Sequence, residues 1–171
     1  LEHKRETGSV VDFPKTQAIS NAELLASECD ILVPAALECQ ITEANAGDVQ
    51  ARLIAEAANG PLTAGADRIL SQQGVVVLPD ILANAGGVVV SYFEWVQNLQ
   101  NQKWSLDKVE RLLNEKMCRA VDETVDRHDD LRDRYSNGFN ADSAVPTLRD
   151  AALANAITRI ATVIVQRDIW P

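Results

Sequence analysis

The stretch Asn84-Ala85-Gly86-Gly87-Val88-Val89-Val90-Ser91-Tyr92-Phe93-Glu94-Trp95 passes from a polar, glycine-containing turn straight into an apolar helix, just behind the short run Val75-Val76-Val77-Leu78. A junction of this kind at the carboxyl end of a strand places free backbone N–H groups and a side-chain amide at the edge where open α/β sheets take their ligands. Half of a ligand site is expected here. The other half is expected outside this sequence.

Upstream, short apolar runs alternate with helical segments. Asp30-Ile31-Leu32-Val33-Pro34 is brief, β-branched and nearly all apolar, as expected of a strand covered on both faces. A second strand falls within Ala51 to Ala58 and ends at the turn signal Asn59-Gly60-Pro61. Val75 to Leu78, followed by Pro79, supplies the third. Ser20-Asn21-Ala22-Glu23 has capping-box spacing and opens a helix from about Asn21 to Ser27. Thr63 caps another that reaches about Gln73, with Ala66, Ile69 and Leu70 on one face and Gly74 as its stop. Strands and helices in this alternation predict parallel βαβ units. The fold class is therefore α/β, a partial Rossmann-like three-layer domain with a parallel sheet and C-terminal helices.

Downstream of Asn84, Val88, Val89, Val90, Tyr92, Phe93, Trp95, Val96 and Leu99 leave hardly any polar stripe, and such a helix is expected to be buried. From about residue 105 to 128, Leu106, Val109, Leu112, Leu113, Met117, Val121 and Val125 recur every three or four positions and predict a long amphipathic helix. His128 reads as a cation at its C-terminal end, and Asp129 to Ala144 as a loop. Thr147, with Asp150 three residues on, starts a last helix over about 147–170.

The chain has 171 residues, 46% of them apolar, enough for one domain with a core. A net charge of −9 argues against a polyanionic partner, so no nucleic acid is expected. Cys29, Cys39 and Cys118 are odd in number and widely spaced, and read as small core residues rather than a disulfide or zinc framework. With no signal pattern and no apolar run of about 18 residues, the expected location is cytoplasmic, away from membranes. Leu1 to Gly8 resembles a helix end with its glycine stop, so the chain is expected to be a piece of a longer protein.

Three strand ends supply the candidate site: Pro34-Ala35-Ala36, Glu56 to Pro61, and Asn84 to Gly87. Their small residues let a flat ligand approach the backbone, and Asn59 and Asn84 can each donate and accept, as a carboxamide such as nicotinamide requires. Both could equally be turn formers and caps. Ser91, on the helix behind them, could bond a backbone carbonyl four residues back or a ligand carboxylate. Glu94 could be a buried, paired acid or a surface residue. None of the eight glycines falls into GxGxxG spacing, so no pyrophosphate cradle is present. No catalytic residue and no metal ligand is assigned.

Taken in order, Lys4 to Val10, Cys29 to Ala36, Ala55-Glu56-Ala57-Ala58-Asn59-Gly60-Pro61, Asn84 to Trp95 and Arg149-Asp150-Ala151-Ala152 resemble the glutamate dehydrogenases, within the wider group acting on leucine and phenylalanine. The resemblance covers nearly the whole chain and implies that residues 1–171 are the carboxyl-terminal part of a dinucleotide-binding domain. The helices at about 105–128 and 147–170 would pack back toward a substrate domain encoded upstream with the glycine fingerprint and the catalytic Lys and Asp. It implies NAD or NADP as cofactor, bound by Ala35, Ala36, Asn59 and Asn84. It implies L-glutamate, converted to 2-oxoglutarate and ammonia, as substrate beside Val88 and Ser91, and a homo-oligomer at full length. The chain alone would be inactive. The alternatives are a leucine/phenylalanine-type enzyme, or a free-standing interaction module using an exposed sheet edge.

Overall fold

A computed structural model describes residues 2–138 and 145–168. In chain order the elements are α1 (Glu2–Thr7), α2 (Asn21–Leu25), β1 (Ile31–Leu32), a 3-10 turn (Ala46–Asp48), β2 (Leu53–Ala55), α3 (Ala64–Gln72), β3 (Val76–Leu78), α4 (Asp80–Ala83), α5 (Ala85–Leu99), α6 (Leu106–Ser136) and α7 (Leu148–Gln166). The three strands form one parallel sheet in the order β1-β2-β3, the α/β arrangement the sequence predicts. All are shorter than the apolar runs that contain them.

Local chemistry sets the helix starts. Ser20 and Glu23 close the predicted capping box on α2, Thr63 accepts from the Ala66 N–H on α3, and Thr147 and Asp150 close a second box on α7. Each such cap contributes about 1 kcal/mol. Gly74, at φ +80°, ends α3 as expected of a residue that must turn left-handed.

Strand register decides where the core lies. Leu32, Ile54 and Val77 stand in one cross-strand row, and Ile31, Leu53 and Val76 in the next. Residues in one row share a face. The first row points into a core shared with Leu25, Ile41, Ala46, Val49, Ala51, Leu62, Ala66 and Leu70. On the second, Ile31 and Val76 stay exposed, as does Val33. The expectation that Asp30–Pro34 is covered on both faces is therefore corrected, because Ile31 and Val33 on its second face remain exposed.

α5 requires a similar correction. Only Phe93 is buried, while Val88 is 74% exposed and Tyr92, Trp95 and Leu99 are exposed too. Apolarity on all sides reports what a helix would bury against, and among the described residues only one side is covered. There Gly86 lies near Leu113 and Met117 of α6, and Phe93 packs on Trp104 with ring centroids 5.7 Å apart. Gln97 accepts from the Trp104 N–H over 2.6 Å and closes the corner into α6.

α6 runs to Ser136 rather than stopping near His128. The polar segment after His128 stays helical through residue 136 because its charges pair along the helix, Arg134 with Asp130 and Arg127 with Asp130. His128 is thus not a C-terminal capping cation but a mid-helix residue. The rest of the predicted loop, 139–144, and the end of the last helix beyond 168 lie outside the described residues. Cys39 and Cys118 are exposed and so are not core residues, whereas half-buried Cys29 packs against the core cluster. Cys39 sits in a turn and Cys118 on the open face of α6. Among the described residues no helix is long and apolar enough to cross a membrane.

Candidate functional site

Parallel register brings the three strand ends to one edge. The hydrogen-bond ladder continues past the strands: the Ala57 and Ala58 N–H groups donate to Pro34 O over 3.1 and 2.9 Å, and the Glu56 N–H to Leu78 O over 3.1 Å. The loops after β1, β2 and β3 therefore leave side by side. Pro34 is buried, and Ala35, Ala36 and Asn59 beyond it are exposed.

At this edge the structure joins two of the residues selected from sequence. Asn84 Nδ2 donates to Asn59 Oδ1 over 2.7 Å, and more weakly to Ala57 O over 3.4 Å. Asn84 occupies the C-cap position of α4 and the N-cap position of α5, but its side chain makes no capping hydrogen bond. The bond uses the donor of one amide and the acceptor of the other. Among the described residues Asn59 Nδ2 and Asn84 Oδ1 have no further partner, leaving one donor beside one acceptor, the complement of a carboxamide.

Val88 and Ser91, three residues apart on the early turns of α5, are both exposed, and that spacing puts them on one side of the helix. Among the described residues, Ser91 Oγ makes no hydrogen bond to a carbonyl four residues back. Glu94 is exposed and takes the surface reading.

Beneath the edge lies a charged cluster that sequence reasoning missed. Arg149, on the first turn of α7, donates through Nη2 to Glu56 Oε1 (2.7 Å), through Nε to Asp67 Oδ2 (3.1 Å) and through Nη1 to Asp80 Oδ1 (3.3 Å). Glu56, fully buried, also accepts from the Asp80 N–H over 2.7 Å. Asp80 Oδ2 accepts from the Gly60 N–H over 2.8 Å. Burial works hardest against the Arg149 charge, but the Glu56 hydrogen bond and the Asp67 and Glu56 charges together outweigh it and raise its pKa. Removing the guanidinium would leave Glu56 buried without its counter-charge, a loss on the order of 3–5 kcal/mol. The partners lie 93, 82 and 69 residues from Arg149. The available signal was an acid one or two residues after each of two strands, Glu56 and Asp80, with an arginine opening a late helix.

Among the described residues no group of three or more His, Cys, Asp or Glu side chains is arranged to hold a metal ion.

Comparison with known proteins places this geometry in context. The sequence model of the Glutamate/Leucine/Phenylalanine/Valine dehydrogenases matches residues 1–167. A glutamate dehydrogenase of Thermotoga maritima is 46% identical over 171 residues, covering 100% of this chain and 38% of that protein. The NADP-specific glutamate dehydrogenase A1 of Halobacterium salinarum is 46% identical over 169 residues, 98% of this chain and 38% of that protein. The solved structure of the hetero-hexameric glutamate dehydrogenase from Thermus thermophilus, in its leucine-bound form, superposes with a TM-score of 0.81 at 30% identity, over 99% of this chain and 37% of that one. The chain thus spans 38% of the length of these curated relatives.

Proposed function

Since the chain belongs to the Glutamate/Leucine/Phenylalanine/Valine dehydrogenase family, we propose that it forms the carboxyl-terminal part of the dinucleotide-binding domain of a glutamate dehydrogenase. The whole enzyme would oxidatively deaminate L-glutamate to 2-oxoglutarate and ammonia with NAD or NADP. Its α6 and α7 would pack back toward the substrate domain, and the full-length enzyme would be an oligomer. The observation that carries this proposal is the Asn84 to Asn59 hydrogen bond at the carboxyl edge of a parallel sheet, which leaves a donor and an acceptor for a carboxamide.

The residues fit the nicotinamide end of a dinucleotide. Ala35 and Ala36 offer a low, exposed floor, and Asn59 and Asn84 would fix the plane of the ring through its carboxamide. The cofactor supplies hydride acceptance, and the protein supplies orientation. Val88 and Ser91 would bound the substrate's side chain, the Ser91 hydroxyl donating to the glutamate carboxylate. That charge-assisted bond is worth about 1.5–3 kcal/mol, which favours glutamate over an apolar amino acid about 10- to 100-fold.

The full-length protein that carries these residues is expected to reduce NAD or NADP in the presence of L-glutamate. The 171-residue chain, with no GxGxxG in its sequence, is expected not to. Full-length protein that turns over leucine but not glutamate would overturn the substrate assignment, and turnover by the chain alone would overturn the division of labour.

A further inference from the structure

We propose that Arg149 is a positioning residue for the cofactor's carboxamide: from the first turn of α7 it sets the separation of Asn59 and Asn84 through Glu56 and Asp80. The inference rests on the placement of the nicotinamide end at that asparagine pair proposed above.

The connection consists of hydrogen bonds alone. Arg149 holds the Asp80 carboxylate directly and the Asp80 N–H through Glu56. Asp80 in turn holds both asparagine-bearing turns. Its Oδ2 accepts from the N–H of Gly60, the residue after Asn59, and its carbonyl accepts from the Asn84 N–H over 3.1 Å. Asn84 is therefore one hydrogen bond away from Asp80, and Asn59 one hydrogen bond and one residue.

Charge neutralisation alone does not explain this cluster, since three carboxylates face one guanidinium. The planar fork, with Nε, Nη1 and Nη2 each aimed at a different element, fixes directions that a point charge could not. The distance it controls has little slack: an N–H···O contact that widens from 2.7 Å toward 3.6 Å is no longer a hydrogen bond. α7 has a second, separate attachment, through Asn155 to Arg127 (3.0 Å) and to Glu123 O (2.9 Å), which involves none of the edge residues. The two attachments can be cut independently.

The test uses the full-length protein with Arg149→Met, Arg149→Lys, Asp80→Asn and, as control, Asn155→Ala. Binding of the reduced cofactor is read from nicotinamide fluorescence, and binding of ADP-ribose, which lacks the nicotinamide, by competition. Thermal midpoints and steady-state kinetics complete the set. Arg149→Lys and Arg149→Met are expected to weaken the reduced cofactor about tenfold while leaving ADP-ribose unchanged, and to lower kcat by about 100-fold. Asn155→Ala is expected to lower the thermal midpoint with cofactor binding and kcat unchanged. If both Arg149 variants fail to fold, Asp80→Asn decides, by the same loss of reduced-cofactor binding with ADP-ribose retained.

A lowered midpoint with unchanged reduced-cofactor binding in Arg149→Lys, or in Asp80→Asn where that variant decides, would overturn the proposal and leave a structural ion cluster. Equal weakening by Asn155→Ala would overturn it in favour of general α7 packing. Intact cofactor binding in Asn84→Ala would remove the placement at the asparagine pair and this inference with it, a failure distinguishable because it appears without any Arg149 substitution.

Discussion

Asn84 donates to Asn59 over 2.7 Å across 25 residues of sequence, joining the loop after β2 to the junction between α4 and α5. Each residue alone resembles an ordinary turn former. Joined, they present, among the described residues, one unpaired donor and one unpaired acceptor at the sheet edge, and the function proposed for the chain depends on that pairing.

Asn84→Ala should weaken reduced-cofactor binding by the full-length protein about tenfold, the worth of one hydrogen bond. Adding Asn59→Ala should cost little more, because the two amides act as a unit. A double-mutant cycle on the dissociation constants measures this, and strictly additive losses would show that the residues act separately.

Ser91→Ala should lower kcat/KM for glutamate about 10- to 100-fold and leave leucine turnover, if any, unchanged. Competing glutamate against leucine in both proteins measures the change. An unaltered ratio would remove Ser91 from substrate recognition.

Gly60 sits at φ +54° with open space where a side chain would go, so any penalty at this position comes from the backbone. Gly60→Ala should destabilise by about 1 kcal/mol. Gly87→Ala, in α5 with equally open space and no left-handed φ, should stabilise by roughly 0.5–1 kcal/mol. Urea midpoints of the two variants should move in opposite directions.

Two carboxylates should shape the acid limb of stability. Hydrogen bonds from the Ser20 backbone and then its hydroxyl lower the Glu23 pKa below its ordinary 4.5. Glu43 is lowered by its own backbone N–H and then by the Thr63 hydroxyl. A carboxylate with a depressed folded pKa contributes fully above its unfolded value, and loses that contribution as pH falls through the folded one. Denaturation midpoints should therefore decline below pH 4.5, and less steeply in Glu23→Gln and Glu43→Gln. Identical acid limbs in the variants and the parent would remove this cause.

The sequence alone determined the parallel α/β class, the capped starts of α2, α3 and α7, the three loops that form the edge, and the family. These are local properties: hydrophobic runs, capping spacings and turn residues act within a few positions, so they can be read in order along the chain. Only the tertiary structure decided which strand face is covered, that α5 is open on most of its surface, that α6 continues through a charged segment, and that Arg149 ties Glu56, Asp67 and Asp80 together. Burial depends on what lies opposite a residue, and an ion cluster spanning 69 to 93 residues depends on how whole elements dock. No periodicity within a single segment records either, because the partners meet only once the chain has folded.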